Sequence, residues 1–177
     1  RTAFYMPVVM SAVVVGMIWT NLLDSAGLVN SVLKALKIIS KPIPFLTDRW
    51  GVLFSSMFVT IWLGLGYYMV IYLTALANID ESLYEAASLD GAGPVRQFIY
   101  VTMPGVRSTM MLIMMLSTIA AFRVFNEIYV LTNGSAGPGG MDMTMSMLIK
   151  REGTGIQART GYASAISIVV LVIVGVM

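Results

Sequence analysis

Long apolar runs with few charges dominate the hydrophobic pattern of this chain and alternate with shorter polar segments. The runs cover about 2–23, 50–77, 108–131 and 160–177. A helix needs about 20 apolar residues to cross a bilayer, whereas a membrane β-strand uses about 10 residues in strict alternation. The length of the runs and their lack of alternation predict an all-α, polytopic membrane protein with about four transmembrane helices.

Between the first two runs, the apolar positions follow helical spacing. Lys34, Lys37 and Lys41 fall mostly on the opposite side of that helix. This amphipathic pattern predicts a short helix over about 27–39 that lies in the membrane interface. Prolines that follow the segment cannot continue a helix, so we expect them to close it. The apolar positions are Leu28, Val29, Val32, Leu33 and Leu36, and the prolines are Pro42 and Pro44.

The composition agrees with a lipid-facing exterior. The 177 residues are 58% hydrophobic and 11% charged, against roughly 25% charged residues in a soluble domain. The net charge of +2 suggests no nucleic-acid partner. The sequence has no cysteine and no histidine, which excludes disulfides, thiol or histidine catalysis and the common zinc sites. No Gly-Lys pair occurs, so the phosphate-binding P-loop pattern is absent as well.

A polar segment over 78–104 separates the second and third runs, and it carries strong local signals for helices. Asp80 is placed to cap a helix that begins at Glu81. Ser82 and Glu85 offer a second capping pattern, the capping box. The segment therefore predicts a short helix close to the end of the second span.

The second half of the same segment predicts a turn and another helix. Gly91 is suited to end the first helix, Pro94 suits the first turn of the next one, and Pro104 marks the return to the membrane. A helix–turn–helix that is joined to two spans by short connections can transmit a movement to both spans. From these residues alone, an ordinary connecting loop is an equally good interpretation.

The spacing within this segment resembles a known signature. EAASLDG (85–91), followed after nine residues by VTMP (101–104), resembles the EAA motif of ABC importer permeases, E-A-A-x3-G-x9-I-x-L-P. The sequence departs from that pattern only at Val101 and Met103, which are both apolar replacements. We call residues 78–104 the EAA element.

Other stretches are similar to the sugar-importer branch of that family, the MalF/UgpA-like permeases. These stretches are 27–33, 62–93 and 120–134, and the resemblance covers nearly the whole chain. Such permeases usually have six core spans. The resemblance therefore implies that 1–177 is a single transmembrane permease domain, a fragment that holds the last four spans. The chain starts at Arg1 and stops inside an apolar run, so we expect an internal piece of a longer polypeptide.

The resemblance also implies how the EAA element works. It would lie in the cytoplasm and dock into a separate ATP-hydrolysing subunit, whose closing would rock the spans between outward- and inward-facing states. ATP and magnesium would bind to that ATPase partner, and we expect no cofactor and no metal on this chain. The implied ATPase-coupling residues are Glu85, Ala86, Ala87, Asp90 and Gly91.

The distribution of basic residues favours the opposite orientation. The segment 78–107 carries only Arg96 and Arg107 and is richer in acids, whereas the loop 24–49 carries more basic residues. The positive-inside rule would place the EAA element outside the cell. We give more weight to the motif, because earlier spans largely set the orientation of a fragment.

Two charges within the third run are candidates for the substrate path. Arg123 and Glu127 are four residues apart, so a continuous helix would place them on one face. Charges at membrane depth usually face a bundle interior or a wet cavity. The pair is either a polar lining of the path or a mutually satisfied structural pair. Phe122, Asn126 and Tyr129 flank it, and a set of aromatic rings and an amide suits contacts to sugars.

One face of the second span is a further candidate. Thr60, Leu63, Gly64 and Tyr67 have the spacing of a single helical face. By resemblance this face lines the translocation path in sugar permeases, although some members carry a longer amide at the position of Thr60. Helix–helix packing is the alternative, because small residues let membrane helices approach closely.

The leading hypothesis is a multi-pass permease subunit of a bacterial inner-membrane ABC sugar importer that is not itself an enzyme. The resemblance implies a second homologous permease, an ABC ATPase dimer, the surrounding lipid, a sugar substrate and an extracytoplasmic solute-binding protein, which the glycine-rich loop 133–140 would face. An ABC permease for glycerol phosphate or a peptide is the alternative. A passive channel or an intramembrane enzyme is more remote.

Overall fold

The computed structural model describes residues 2–155 and 158–176, and every long regular element within them is helical. Arg1 and Met177, the ends of the predicted domain, lie outside the described residues. In chain order the elements are α1 (Thr2–Val9), α2 (Ala12–Leu23), α3 (Leu28–Ala35), α4 (Arg49–Ala77), α5 (Glu81–Leu89), α6 (Pro94–Gln97), a π-helical turn (Phe98–Thr102), α7 (Met103–Gly105), α8 (Arg107–Phe122), α9 (Asn126–Leu131), a 3-10 turn (Pro138–Gly140), α10 (Met145–Gly153) and α11 (Thr160–Val176).

The first apolar run forms two helices, which corrects the prediction of one span over 2–23. Pro7 lies inside α1 and has no N–H to donate to the helix. Ser11 has an extended backbone (φ −63°, ψ 134°), as is usual for the residue before a helix start, and α2 begins after it.

The helix predicted at the interface is shorter than 27–39, because α3 ends by its own C-terminal motif before the prolines are reached. Lys37 adopts a left-handed conformation (φ 56°), and the N–H of Ile38 donates to the carbonyl of Leu33 at 3.0 Å. Asn30 is buried and exchanges hydrogen bonds with the backbone of Ile43, 2.8 Å from its N–H and 3.1 Å from its carbonyl. These bonds fix the loop after α3 against the helix.

α4 is the central helix of the described structure. Asp48 caps it by accepting a hydrogen bond from the N–H of Gly51 at 3.2 Å. α4 contacts α1, α2, α8 and α9. Val15, Val59 and Leu131 form a buried apolar cluster where α2, α4 and α9 meet. This cluster fixes the distance between α4 and α9, which carry the candidate path residues.

By length and composition, Ala12–Ala35 and Arg49–Ala77 can cross a membrane, among the described residues. A third crossing is formed if Pro94–Gly105 and Arg107–Phe122, which meet at a bend of 64°, are taken as one span. α11 is apolar and has 17 residues in the structure. Large apolar side chains on these helices remain exposed, for example Phe54 and Leu171. Exposed apolar surface on long helices is what a lipid-facing exterior requires.

Candidate functional site

A cavity of about 750 Å³ lies between α4 and the α8–α9 region, and we call it the α4 cavity. Its α4 wall contains the whole predicted face of that helix, Thr60, Leu63, Gly64 and Tyr67. Small residues of α8 and the segment that joins α8 to α9 form the facing wall. The complete lining is Leu53, Ser56, Met57, Thr60, Ile61, Leu63, Gly64, Leu65, Tyr67, Tyr68, Ser117, Ala120, Ala121, Val124, Glu127, Ile128 and Thr144.

Two tyrosines give the α4 cavity an aromatic surface. The rings of Tyr67 and Tyr68 are 5.3 Å apart in an edge-to-face arrangement, and Tyr67 is half exposed. Gly64 makes room for the second ring, because a Cβ atom at Gly64 would lie 3.1 Å from Cε2 of Tyr68. Aromatic faces beside hydroxyl groups can stack on sugar rings and hydrogen-bond to their hydroxyls.

Three hydroxyl groups of the α4 cavity already donate to backbone carbonyls of their own helices. Ser56 donates to Leu53 at 2.9 Å, Thr60 to Ser56 at 2.8 Å and Ser117 to Ile113 at 2.5 Å. Each hydroxyl oxygen still has a lone pair free to accept. The polar lining from these residues therefore favours ligands that donate hydrogen bonds.

The structure corrects the expected relation between Arg123 and Glu127. α8 ends at Phe122 and α9 begins at Asn126, so the two charges do not lie on one face of a continuous helix. Phe125 has a non-helical backbone (φ −142°, ψ −58°). Among the residues that the structure describes, Arg123 and Glu127 form no ion pair. The interpretation as a mutually satisfied pair is therefore wrong for this structure.

The break separates four of the residues predicted around it. Glu127 is half-buried and lines the α4 cavity. Asn126 lines a second cavity of about 660 Å³ beside α2, together with Asn21. Phe122 and Arg123 line neither of these two cavities in the described structure, and Arg123 is exposed. The break thus separates Phe122 and Arg123 from α9, and within α9 the helical period directs Asn126 and Glu127 to different cavities.

Some lining residues were not predicted. Ser56 precedes Thr60 by one helical turn, so the spacing that identified the α4 face could have included it. Tyr68 adjoins Tyr67 and reaches the cavity because Gly64 has no side chain. Ser117 and Thr144 come from other elements, and no local pattern marks them.

The EAA element, which directly follows the C-terminal end of α4, forms a second candidate site. Asp80 is the N-cap of α5 and accepts a hydrogen bond from the N–H of Ser82 at 3.0 Å, so the alternative capping box is not used. Hydrogen bonds from Ser82 lower the pKa of the Asp80 carboxyl. At the other end, Gly91 has a left-handed backbone (φ 72°), and the N–H of Ala92 donates to the carbonyl of Ala87 at 2.9 Å. Local sequence thus sets both ends of α5.

The predicted coupling residues lie on α5 and its C-terminal turn. Ala87 is half-buried, whereas Glu85, Ala86, Asp90 and Gly91 are exposed. Within the described chain, no residue of α5, α6 or the π-helical turn is buried. Apolar side chains also protrude from this surface: Leu89, Val95, Phe98 and Tyr100. Exposed apolar surface of this kind is typical of a site that contacts another protein or the membrane.

Close contacts connect the EAA element to the spans. A Cβ atom at Gly105 would lie 2.8 Å from Cδ1 of Ile79, so the end of α7 packs directly on the connection between α4 and α5. Val106, at the bend into α8, is buried. The EAA element is therefore attached to α4 through Ile79 and to α8 through α7.

The glycine-rich loop after α9 is packed rather than loose. Thr132 and Ala136 are buried, and the N–H of Ala136 donates to Oγ1 of Thr132 at 3.1 Å. Ala136 packs with Ile128 of α9 and Met147 of α10. The loop thus has a fixed surface, at the end of the bundle opposite the EAA element.

Comparisons with known proteins find similar sequences and folds over nearly the whole chain. The family model described as "Binding-protein-dependent transport system inner membrane component" matches residues 1–177. The lactose transport system permease protein LacF of Rhizobium radiobacter is 33% identical over 100% of this chain and 59% of its own length. That relative is a transporter permease rather than an enzyme.

Two solved structures are also similar. One is a bacterial ABC transporter involved in the import of the acidic polysaccharide alginate, with a TM-score of 0.77 and 26% identity over 98% of this chain and 61% of that chain. The other is a bacterial alginate ABC transporter in complex with an alginate pentasaccharide-bound periplasmic protein, with a TM-score of 0.84 and 25% identity over 99% of this chain and 60% of that chain. The chain spans about three fifths of the length of these relatives.

Proposed function

Because this chain belongs to the family of binding-protein-dependent transport system inner membrane components, we propose that it forms the saccharide path in the permease subunit of a bacterial ATP-driven importer. Family membership makes it an inner-membrane protein, in agreement with its long apolar helices. The α4 cavity carries the proposal, because the face of α4 predicted for the path and Glu127 line the same space.

The chemistry of the α4 cavity suits a saccharide. Its volume of about 750 Å³ lies within the range of roughly 300–1,000 Å³ usual for small-molecule sites. Tyr67 and Tyr68 supply aromatic faces for sugar rings, and the hydroxyl oxygens of Thr60 and Ser117 accept hydrogen bonds from sugar hydroxyls. The named relatives of this chain carry saccharides, so glycerol phosphate and peptides have no support from them.

The EAA element supplies the proposed coupling to ATP hydrolysis. Its exposed α5 would dock into a separate ATPase subunit, and ATP and magnesium would bind to that subunit rather than to this chain. Closing of the ATPase dimer would move α5, and the contact between Ile79 and Gly105 would pass that movement to α4 and α8. The spans would then alternate between outward- and inward-facing states.

The complete importer would need further partners. A second, homologous permease would complete the wall of the α4 cavity. A solute-binding protein would deliver the saccharide to the packed loop around Ala136, at the outer end of the bundle. The alginate transporter of similar fold forms a complex with a periplasmic protein, which supports this assignment.

Uptake measurements on the complete importer test the proposal. The full-length protein is reconstituted into proteoliposomes with the permease, ATPase and binding protein encoded beside it. We expect uptake of at least one radiolabelled saccharide from a panel, and only with hydrolysable ATP and the binding protein. Uptake without ATP would indicate a passive channel. Uptake of glycerol 3-phosphate or peptides, and of no saccharide, would overturn the proposed substrate class.

A further inference from the structure

We infer that Glu127 makes the α4 cavity selective for charge, so that it admits neutral and amino saccharides and excludes saccharides with carboxylate groups. This inference rests on the proposed function and adds a substrate class to it. Glu127 would be a specificity-determining residue that contacts the solute.

Glu127 is the only charged side chain among the described residues that line the α4 cavity. It is half-buried, and no hydrogen bond or ion pair of its carboxylate is present among the described residues. Arg123 is the nearest cation along the chain, yet it is exposed and lies on the other side of the helix break, outside the cavity lining. Lys150 is a further cation nearby, with its Nζ 5.2 Å from the ring centroid of Phe125 and 3.7 Å from that of Tyr129, but it does not line the cavity and forms no ion pair with Glu127 among the described residues. The carboxylate of Glu127 therefore faces the cavity without a direct ionic partner in the described structure.

Three neutral polar groups of the cavity act in the same direction as Glu127. The hydroxyls of Ser56, Thr60 and Ser117 donate to their own helices, so they offer the solute only acceptor lone pairs. Glu127 is likewise an acceptor. Hydroxyl and ammonium groups of a saccharide can donate to all of these oxygens. A carboxylate only accepts, so it can pair with none of these oxygens, although the hydroxyls of Tyr67, Tyr68 and Thr144 in the same lining can donate to it.

The size of the expected effect follows from Coulomb's law. Two like charges about 5 Å apart, at an effective dielectric constant near 20, repel strongly enough to weaken binding by on the order of a hundredfold. An ABC transporter of similar fold is involved in the import of an acidic polysaccharide, so the fold itself does not exclude acidic saccharides. Discrimination by charge therefore depends on the side chains that line the cavity.

Binding to the permease itself tests the inference, because a binding protein could select the saccharide beforehand. The complete permease–ATPase complex is placed in nanodiscs without the binding protein. Dissociation constants are measured for matched disaccharides: cellobiose, its diamino counterpart chitobiose without acetyl groups, and cellobiouronic acid. We expect the wild-type complex to bind the neutral or the amino member at least about tenfold more tightly than the acid.

Glu127→Gln should reduce that ratio to near unity, because the amide keeps the shape of the side chain and removes the charge. Glu152→Gln is the matched control, because it removes one acidic charge outside the α4 cavity and should leave the ratio unchanged. The wild-type ratio is informative even if Glu127→Gln fails to fold.

The outcomes separate the inference from the proposed function. Equal or tighter binding of cellobiouronic acid by the wild-type complex would overturn the inference and leave the saccharide path intact. An unchanged ratio in a folded Glu127→Gln complex would overturn the role of Glu127. Binding of no member of the panel, together with no saccharide uptake by the complete importer, would count against the proposed function and against the inference with it.

Discussion

The hydroxyl oxygens of Tyr84 and Thr102 lie 2.8 Å apart, and the hydrogen bond between them joins α5 to the π-helical turn. A second bond crosses the same gap, because Nε2 of Gln97 donates to Oγ of Ser88 at 2.8 Å. The two bonds tie the first helix of the EAA element to the second. A force on α5 should therefore move the element as one body instead of bending it at Gly91.

We expect Tyr84→Phe to reduce the number of saccharide molecules imported per ATP, with ATP hydrolysis largely retained. The loss of one hydrogen bond costs about 0.5–1.5 kcal/mol, which is small enough to leave the fold intact but loosens the element. Uptake and phosphate release measured in the same proteoliposomes give the ratio. Thr102→Val removes the same bond, so the effects of the two changes should not add in the double variant.

Tyr162→Phe is the control for this change. Tyr162 is exposed on α11, and its hydroxyl makes no hydrogen bond to the described part of the chain. It should leave uptake per ATP unchanged. An unaltered ratio in Tyr84→Phe, or fully additive effects with Thr102→Val, would show that the bond does not contribute to coupling.

Gly91 is required by its backbone conformation rather than by local crowding. Its φ is 72°, and an added Cβ atom would meet nothing within 4 Å in this chain. The left-handed region costs most residues about 1–2 kcal/mol, and asparagine tolerates it better than β-branched residues. We expect Gly91→Val to lose most ATP-driven uptake and Gly91→Asn to retain a larger share, with both proteins still in the membrane.

Gly93 offers a matched control two residues away. Its φ is −69°, and an added Cβ atom there also meets nothing within 4 Å. Gly93→Ala should therefore support normal uptake. Normal uptake by Gly91→Val would contradict the role of the left-handed turn. A third variant, Gly91→Ala, tests for crowding by the ATPase partner, because alanine is smaller than asparagine but tolerates the left-handed conformation less well. Higher uptake by Gly91→Ala than by Gly91→Asn would point to a close approach of that partner.

Local signals explain why the EAA element could be predicted from the sequence. Asp80 caps α5, Gly91 ends it, and Pro94 starts α6, and each of these effects depends on a few neighbouring residues. The face of α4 could be predicted for the same reason, because Thr60 and Tyr67 belong to one long helix and obey its period.

The break before α9 could not be predicted, because no glycine or proline marks it. The sequence around Arg123 reads as a continuous helix, yet Phe125 leaves the helical conformation. Phe125 packs on the cluster that Ile128 forms with Met147 of α10. Contacts between elements distant in sequence therefore override the local helical preference, and they separate Glu127 from Arg123.

Asp142 should make the stability of the protein depend on pH. Its Oδ2 atom is buried without a hydrogen-bond partner in the described structure. Burial raises the pKa of this carboxyl, and Asp48 adds to the rise while Arg49 opposes it. A carboxyl with a raised pKa in the folded state favours folding below its unfolded pKa of about 4, and this contribution is lost as the pH rises through the raised value.

We therefore expect Asp142→Asn to raise the melting temperature of the purified protein at neutral pH, and the difference from wild type to shrink towards pH 4. Thermal unfolding in detergent at several pH values measures this. Asp24→Asn is the control, because Asp24 is exposed and its hydrogen bond from the N–H of Ala26 can be kept by asparagine. If Asp142→Asn is less stable than wild type at neutral pH, the buried carboxylate of Asp142 does not destabilise the folded protein and the prediction is wrong.

Gly64 should control the saccharide contact through Tyr68. The added Cβ of Gly64→Ala would lie 3.1 Å from the Tyr68 ring, so the ring must move by a few tenths of an ångström in the α4 cavity. We expect the dissociation constant of the saccharide to rise about two- to tenfold, because an aromatic contact is worth about 0.5–1.5 kcal/mol and about 1.4 kcal/mol corresponds to a tenfold change in affinity. Binding to the permease–ATPase complex in nanodiscs measures it.

Gly161→Ala is the matched change, because Gly161 also lies in a helix and an added Cβ atom there meets nothing within 4 Å. Gly161→Ala adds the same methyl group without a new contact. Gly64 lies in the interior of α4, where alanine favours the helix over glycine by up to about 1 kcal/mol, so weaker binding by Gly64→Ala would not come from a loss of helical preference. If Gly64 serves helix packing alone, Gly64→Ala should lower the melting temperature and leave saccharide binding unchanged. Weaker binding at an unchanged melting temperature is the result that assigns Gly64 to the path.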